Sequence, residues 1–407
     1  MRIALVTAIP LVGVPEIGSA YYSRALAERL QQTGQKVEIW TKDIGVEPAP
    51  SSVNIFTIWR PGISAWIDIL RACLKRKPDV LHIQHAMFLL GNGAVGEIAM
   101  VLLLLSLIIA RQKVVITCHD TPELRQITSA YMRMHKYRFP VACARFGLRM
   151  LFWLIGRCAQ IVIVHQQHFA QTLSEDYGIA QSRIAVVPLL AIPCVITSKP
   201  EARKELSLSF DRKYLLFFGF ATGYKGIEEL LDAMRILQAR FPEMELLLGA
   251  GEHPKVKDTQ IYREYYANLR AQAERTGNVR FLGFIPDERL DCLIDAIDLA
   301  IFPYVEFQGM SGPLNQCAAH RRPFLVSGAI ATKIPALNAV SFQQDPQAIA
   351  GAIERYFTDS RYANEVSGIC GRFGDVTCSD DFLDLTLDIY RHAQAFEFAR
   401  SNLATRD

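Results

Sequence analysis

The sequence predicts an α/β protein made of two doubly wound parallel sheets. Three observations predict it. Short apolar runs alternate with helical patterns along most of the chain, the signature of βα units on a parallel sheet. The alternation breaks at a polar, proline-marked segment, Pro193 to Glu205, read as a linker, and then restarts. At 407 residues the chain is longer than one core usually organises, so two domains are expected.

The elements follow in order. Ile3–Thr7 reads as a strand, 13–19 as a loop, and 21–32 as a helix with Tyr22, Leu26 and Leu30 at helical spacing. Gly34 ends that helix. Runs beginning at Val37, Asn54, Val80, Val114, Ile161 and Ala185 continue the strand series. After the linker, strands are expected to start at Tyr214, Leu246, Val279, Leu299 and Phe324. Segments 346–357 and 382–398 read as terminal helices, the latter with Phe382, Leu385 and Ile389 as its apolar pattern.

Composition narrows the function. Hydrophobic content of 50% and charged content of 21% describe a globular chain. A net charge of +3 gives no reason to expect nucleic acid. Nine cysteines contain no CxxC pair, which points to reduced thiols rather than a disulfide framework or a zinc site. Met1-Arg2 runs straight into Ile3-Ala4-Leu5-Val6, so no signal peptide is expected and the cytoplasm is the expected compartment. The apolar run 98–110, broken only by Ser106, is short of the roughly twenty residues that span a bilayer, and predicts a buried helix. Segment 131–157 mixes six basic residues with Phe146, Met150, Phe152 and Trp153. It suits the headgroup region of an anionic membrane, at the inner face; the alternative is an amphipathic helix packed on its own domain.

Several constellations can carry chemistry. In 299–327 an apolar run ends at Pro303, a polar glycine-bearing loop follows, and a helix begins near Pro313. Such a strand–loop–helix junction aims backbone N–H groups and the helix dipole at an anion; an ordinary βα turn is the alternative. Gly18-Ser19-Ala20 offers small residues for close backbone approach, or simply a tight turn. His119-Asp120 stands at the carboxyl end of a strand, where a histidine can hold a sugar hydroxyl or a developing charge; a capping aspartate beside a satisfied histidine is the alternative. Lys225 lies in the glycine-bounded turn 219–226 and can place a point charge on a diphosphate. Gly251 closes another strand, and Phe284 and Ile285 close the next, where apolar side chains can sandwich a nucleobase. His82, His85, His165 and His168 have metal-like spacing but no carboxylate or cysteine beside them, so no metal is expected.

These residues resemble a known family. Tyr224-Lys225-Gly226 with the helix after it, the stretch 279–286, and the segment 311–323 are similar to the retaining glycosyltransferases of family 4, which have the GT-B fold of two Rossmann-like domains facing across a cleft. The resemblance implies an acceptor-side domain at 1–195, with the C-terminal segment 380–407 crossing back to it. It implies a donor domain at 200–379. It also implies a nucleotide-sugar (UDP-, GDP- or ADP-linked) as substrate, a glycan, lipid-linked or small-molecule acceptor, and no cofactor. By resemblance, Gly18, Ser19, Lys225, Gly251, Phe284, Ile285, Met310, Ser311, Gly312, Pro313, Leu314 and Gln316 bind the donor, and His119 and Gln308 are catalytic. Departures are plain. Gln308 and Gln316 stand where the family usually has two glutamates, Phe220 and Thr222 where an arginine often stands, and Leu189 where glycine is usual. A binding or scaffold subunit that has lost turnover is the alternative function.

Overall fold

The apolar runs become strands because helices cover both faces of a parallel sheet, leaving no strand position that needs a polar side chain. The computed structural model describes residues 1–11, 18–91, 93–129, 132, 140–190, 194–254, 256–307, 311–379 and 381–395. Among these, β1 (Arg2–Val6), β2 (Lys36–Lys42), β3 (Asn54–Trp59), β4 (Val80–His85), β5 (Val114–Cys118), β6 (Ile161–Val164) and β7 (Ile184–Val186) form one parallel sheet, ordered β3-β2-β1-β4-β5-β6-β7. A second parallel sheet holds β8 (Lys213–Phe220), β9 (Met244–Gly251), β10 (Val279–Phe281), β11 (Leu299–Phe302), β12 (Phe324–Ser327) and β13 (Ser341–Phe342), ordered β10-β9-β8-β11-β12-β13. The order reverses between β1 and β4 in the first sheet and between β8 and β11 in the second. At such a switch point the loops leaving the carboxyl ends diverge and leave a crevice for a ligand.

The chain divides into two units, Met1–Pro188 with Asp380–Asp407, and Leu189–Ser379. The division falls a few residues before the expected linker for a local reason. Val195 N–H donates to Asp291 Oδ2 at 2.9 Å and Thr197 N–H to Asp295 Oδ2 at 2.6 Å, which fastens the segment to the second unit. His320 sits between the same two carboxylates, each ring nitrogen 3.0 Å from an oxygen. Part of the expected linker is a helix, Lys199–Glu205, capped by the Ser198 hydroxyl and anchored by Arg203 on Asp298 at 2.7 Å.

Three elements differ from expectation. Helix Gly93–Ile109 is buried on one face only; Val95, Ile98, Leu105 and Ile109 are exposed. In the C-terminal helix Asp381–Ala395, which packs in the first unit, Phe382 and Ile389 are buried but Leu385 is exposed. Helix Ser360–Cys378 was not apparent, since Gly368, Gly371 and Gly374 depress helix propensity. Gly374 is there for contact: a β-carbon would stand 2.2 Å from the Ala318 carbonyl oxygen. Among the described residues no helix is long and apolar enough to cross a membrane.

Gly374→Ala should therefore destabilise the protein by about 1–3 kcal/mol through overpacking. Gly371→Ala, where a β-carbon meets open space, should instead stabilise it by about 0.5–1 kcal/mol. Urea denaturation compares the two; equal effects would contradict the close crossing.

Candidate functional site

In the second unit the crevice is built by the loops after β8 and β11. The first ends in a turn, Gly223–Lys225, closed by Gly226 at φ +65°. No other residue fits there, because a β-carbon would meet the Pro303 carbonyl oxygen at 1.8 Å. Val305 N–H donates to the Tyr224 carbonyl at 2.8 Å, and the Gln344 amide to the Pro303 carbonyl at 2.6 Å. The two loops are thus fastened to one another.

This fastening places the Lys225 ammonium 3.6 Å from the centre of the Tyr304 ring and 5.1 Å from that of Tyr224. Lys225 is only 8% exposed, and no carboxylate among the described residues pairs with it. Burial alone pushes its pKa from the ordinary 10.5 to about 7. A desolvated cation–π contact is worth about 2 kcal/mol, less than the several kcal/mol lost by removing an ammonium from water. The cation is therefore short of a partner, and an anion would supply it.

The Tyr304 hydroxyl meets the Ser311 hydroxyl at 2.9 Å. Ser311 caps the helix Gly312–Ala319, its oxygen accepting the Leu314 N–H at 3.3 Å. The lysine, the tyrosine and this helix end form one series of contacts. Pro313 has no N–H, and the Asn315 N–H is given to the Ser311 carbonyl. That leaves the Gly312 N–H as the spare donor of this turn among the described residues. Leu314 turns its side chain into the core, 1% exposed, and Gln316 is half-buried on the next turn. Gln308 and Met310 lie outside the described residues.

Gly251, Phe284 and Ile285 are also brought together. A β-carbon on Gly251 would meet the Phe284 ring at 3.1 Å, and one on Gly249 would meet Ile285 at 2.2 Å. The end of β9 is thus roofed by two apolar side chains, with Phe284 half-exposed. Tyr262 and Tyr266 brace this edge, their hydroxyls donating to the Ala221 and Ala250 carbonyls at 2.9 Å.

In the first unit, Gly18 and Ser19 open the helix Gly18–Gln32, and the Ser19 carbonyl accepts the Ser23 hydroxyl at 2.7 Å. His119 follows β5, its Nε2 2.8 Å from Gln84 Oε1. Tyr22 meets the rings of His119 and His165 edge-on, at 5.3 and 5.0 Å. Burial, and then the neighbouring His165, His82 and His85, hold the His119 pKa well below the usual histidine range. It is a neutral imidazole, able to give or take a hydrogen bond but not to serve as an imidazolium acid. Asp120 accepts the Met87 N–H. Among the described residues no cluster of histidine, cysteine or carboxylate is arranged to hold a metal ion. Tyr304 and Gln84 escaped the sequence reading, and His82 entered it only among the histidines with metal-like spacing. The available signal was polar side chains, His82 and Gln84, inside a wholly buried strand.

A model of the family described as Glycosyltransferase Family 4 matches residues 18–189, and one described as Glycosyl transferases group 1 matches residues 212–359. The glycosyltransferase YqgM of Bacillus subtilis is 29% identical over 124 residues, 30% of this chain and 31% of that protein. Such matches span only 31–39% of the curated relatives' length. The sucrose-phosphate synthase of Thermosynechococcus elongatus superposes with a TM-score of 0.71 at 18% identity, covering 96% of this chain and 98% of that one. The Anabaena protein HepE, solved with UDP-glucose, superposes at 0.70 with 14% identity, covering 97% and 100%. At these identities the likeness is one of fold.

The depressed pKa of Lys225 has a sign that stability can report. The unfolded chain holds this proton up to about pH 10.5 and the folded one only to about 7, so the penalty of burying the charge is full below 7 and fades towards 10.5. Relative to Lys225→Met, the wild type should gain stability as pH rises through that window, by up to about 1.4 kcal/mol per unit. Urea denaturation from pH 6 to 10 checks it; parallel pH profiles would contradict the buried, unpaired cation.

Proposed function

The chain belongs to the family 4 type of glycosyltransferases, with the two-domain GT-B fold, and on that footing we propose that it moves a sugar from a nucleotide-sugar donor to an acceptor with retention of configuration. The observation that carries the reading is the buried Lys225 ammonium at a topological switch point, short of an anion and joined through Tyr304 and Ser311 to a helix N-terminus. A donor diphosphate meets that need. Phe284 and Ile285 offer an apolar edge to a base. Gln308 and Gln316 bond hydroxyls of the ribose or sugar without supplying negative charge. His119 meets a sugar hydroxyl as a neutral group. Catalysis is then positioning of the donor together with stabilisation of the leaving diphosphate.

A panel of UDP-, GDP- and ADP-sugars tests this, beginning with UDP because the Anabaena neighbour was solved with it. A cognate donor at a hundred times its dissociation constant should stabilise the protein by about 2.7 kcal/mol. Lys225→Ala should weaken donor binding by roughly 1.5–3 kcal/mol, the worth of a charge-assisted hydrogen bond, and leave acceptor binding unchanged. Donor binding without any turnover would overturn the transferase reading in favour of a binding subunit.

The acceptor side of the proposal is a lipid-linked or surface glycan met at an anionic membrane. Helix Val141–Cys158 exposes Phe146, Met150 and Trp153 at helical spacing, with the Arg157 guanidinium 5.3 Å from the Trp153 ring centre. It packs beside helix Gly93–Ile109 and its exposed aliphatic stripe. From 124 to 174 the sequence has seven basic residues and no acidic one. Those features support a face that dips into headgroups while its arginines meet lipid phosphate. Cosedimentation with anionic liposomes should weaken as salt rises, and Arg149→Glu with Arg157→Glu should cost roughly 1 kcal/mol per charge or more. Protein that stays in the supernatant at low salt would point to a soluble acceptor.

A further inference from the structure

The turn that carries Lys225 holds a second unmet group. Thr222 opens this turn in extended backbone, φ −148° and ψ 146°, where a threonine hydroxyl ordinarily accepts a backbone N–H from the residues that follow. Here it accepts none. The Lys225 N–H goes to the Thr222 carbonyl instead, at 2.9 Å. Thr222 Oγ1 is buried without a hydrogen-bond partner among the described residues, in a residue that is itself only half-buried. A hydroxyl offers one donor and two acceptor positions, and leaving it unpaired out of water costs stability. The turn itself has no use for the hydroxyl, since this extended backbone suits valine equally well.

The turn is pinned on both sides of Thr222. Ala221 gives its N–H to the Gly251 carbonyl at 2.8 Å, and its own carbonyl accepts the Tyr262 hydroxyl at 2.9 Å. Three residues after Thr222, Lys225 is held over Tyr304, and Gly226 presses on the Pro303 carbonyl. The start of the turn lies against the helix Gly312–Ala319, for a β-carbon on Gly219 would stand 3.5 Å from Pro313 Cγ. Thr222, Lys225 and the spare Gly312 N–H thus belong to the two loops that leave the adjacent strands β8 and β11 at the switch point. Lys225 is the only charged residue in 219–226. A diphosphate has more oxygens and more charge than one ammonium can meet, so it has room for neutral donors as well.

We propose that Thr222 is a further donor-binding residue, whose hydroxyl gives a hydrogen bond to an oxygen of the diphosphate that the Lys225 ammonium also meets. The inference rests on the donor site proposed above and deepens it. One ligand relieves two deficits of one turn, an unpaired cation and an unpaired hydroxyl, and recognition is divided between a single charge and neutral donors. The two contributions are separable, because a hydroxyl does not titrate with the lysine.

Inorganic pyrophosphate is the probe, because it carries the diphosphate without any choice of base or sugar. In calorimetric titration of the full chain at pH 7, Thr222→Val should bind it roughly tenfold more weakly than the wild type, the worth of one hydrogen bond. Thr222→Ser restores the hydroxyl and should return to within about threefold of the wild type. Urea denaturation without ligand should find Thr222→Val no less stable than the wild type, since the hydroxyl it removes is unpaired in the free protein. Proton uptake per pyrophosphate should be the same in Thr222→Val as in the wild type, because the lysine is untouched. Unchanged affinity in Thr222→Val, no rescue by serine, a loss of ligand-free stability, or altered proton uptake would each overturn the role of Thr222 while leaving that of Lys225 in place. Pyrophosphate that fails to bind the wild type, or that binds Lys225→Met equally well, would sink the donor site and this inference with it.

Discussion

A buried ammonium that no carboxylate among the described residues pairs is the constraint on which the second unit depends. Lys225 is held over Tyr304 because Gly226 lets its loop press against the Pro303 carbonyl, where any larger residue would collide. The tyrosine is held in turn by Ser311, which caps the helix after β11, and by Ser327, whose hydroxyl donates to the Tyr304 carbonyl at 2.6 Å. A cation–π contact alone does not offset the desolvation, so the apo fold carries a deficit that an anion relieves. Binding and proton uptake are thereby coupled, because an ammonium with a pKa near 7 must be fully charged when a diphosphate arrives.

The first unit presents the opposite electrostatics. Its conspicuous residues are histidines, yet burial holds His82 at about 3 and both His85 and His165 at about 4. They add hydrogen-bonding sense rather than charge. Both ring nitrogens of His85 are buried without a hydrogen-bond partner among the described residues, the mark of a site shaped for polar contact more than for stability.

Much of this was legible in the sequence, for physical reasons. Fully buried parallel strands such as Ile161–Val164 and Leu299–Phe302 announce themselves as uninterrupted apolar runs. Lys225 and Ser311 stood out because glycines and a helix start bracket them. Pairings distant in sequence were not legible. Gly374 against Ala318 looks like a poor helix residue until the crossing is seen. Tyr390 against His82 joins the last helix to the fourth strand, which no local pattern encodes. The exposed stripe of Gly93–Ile109 was misjudged because uniform apolarity cannot tell a helix buried all round from one that leaves a face exposed.

The most direct measurement is proton uptake on nucleoside-diphosphate binding. Calorimetric titration of UDP at pH 8, repeated in buffers of different ionisation enthalpy, reads the number of protons taken up. The account predicts close to one proton per UDP for the wild type and none for Lys225→Met. UDP binding with no proton uptake by the wild type would mean that the lysine is already charged and paired, and would contradict the central claim.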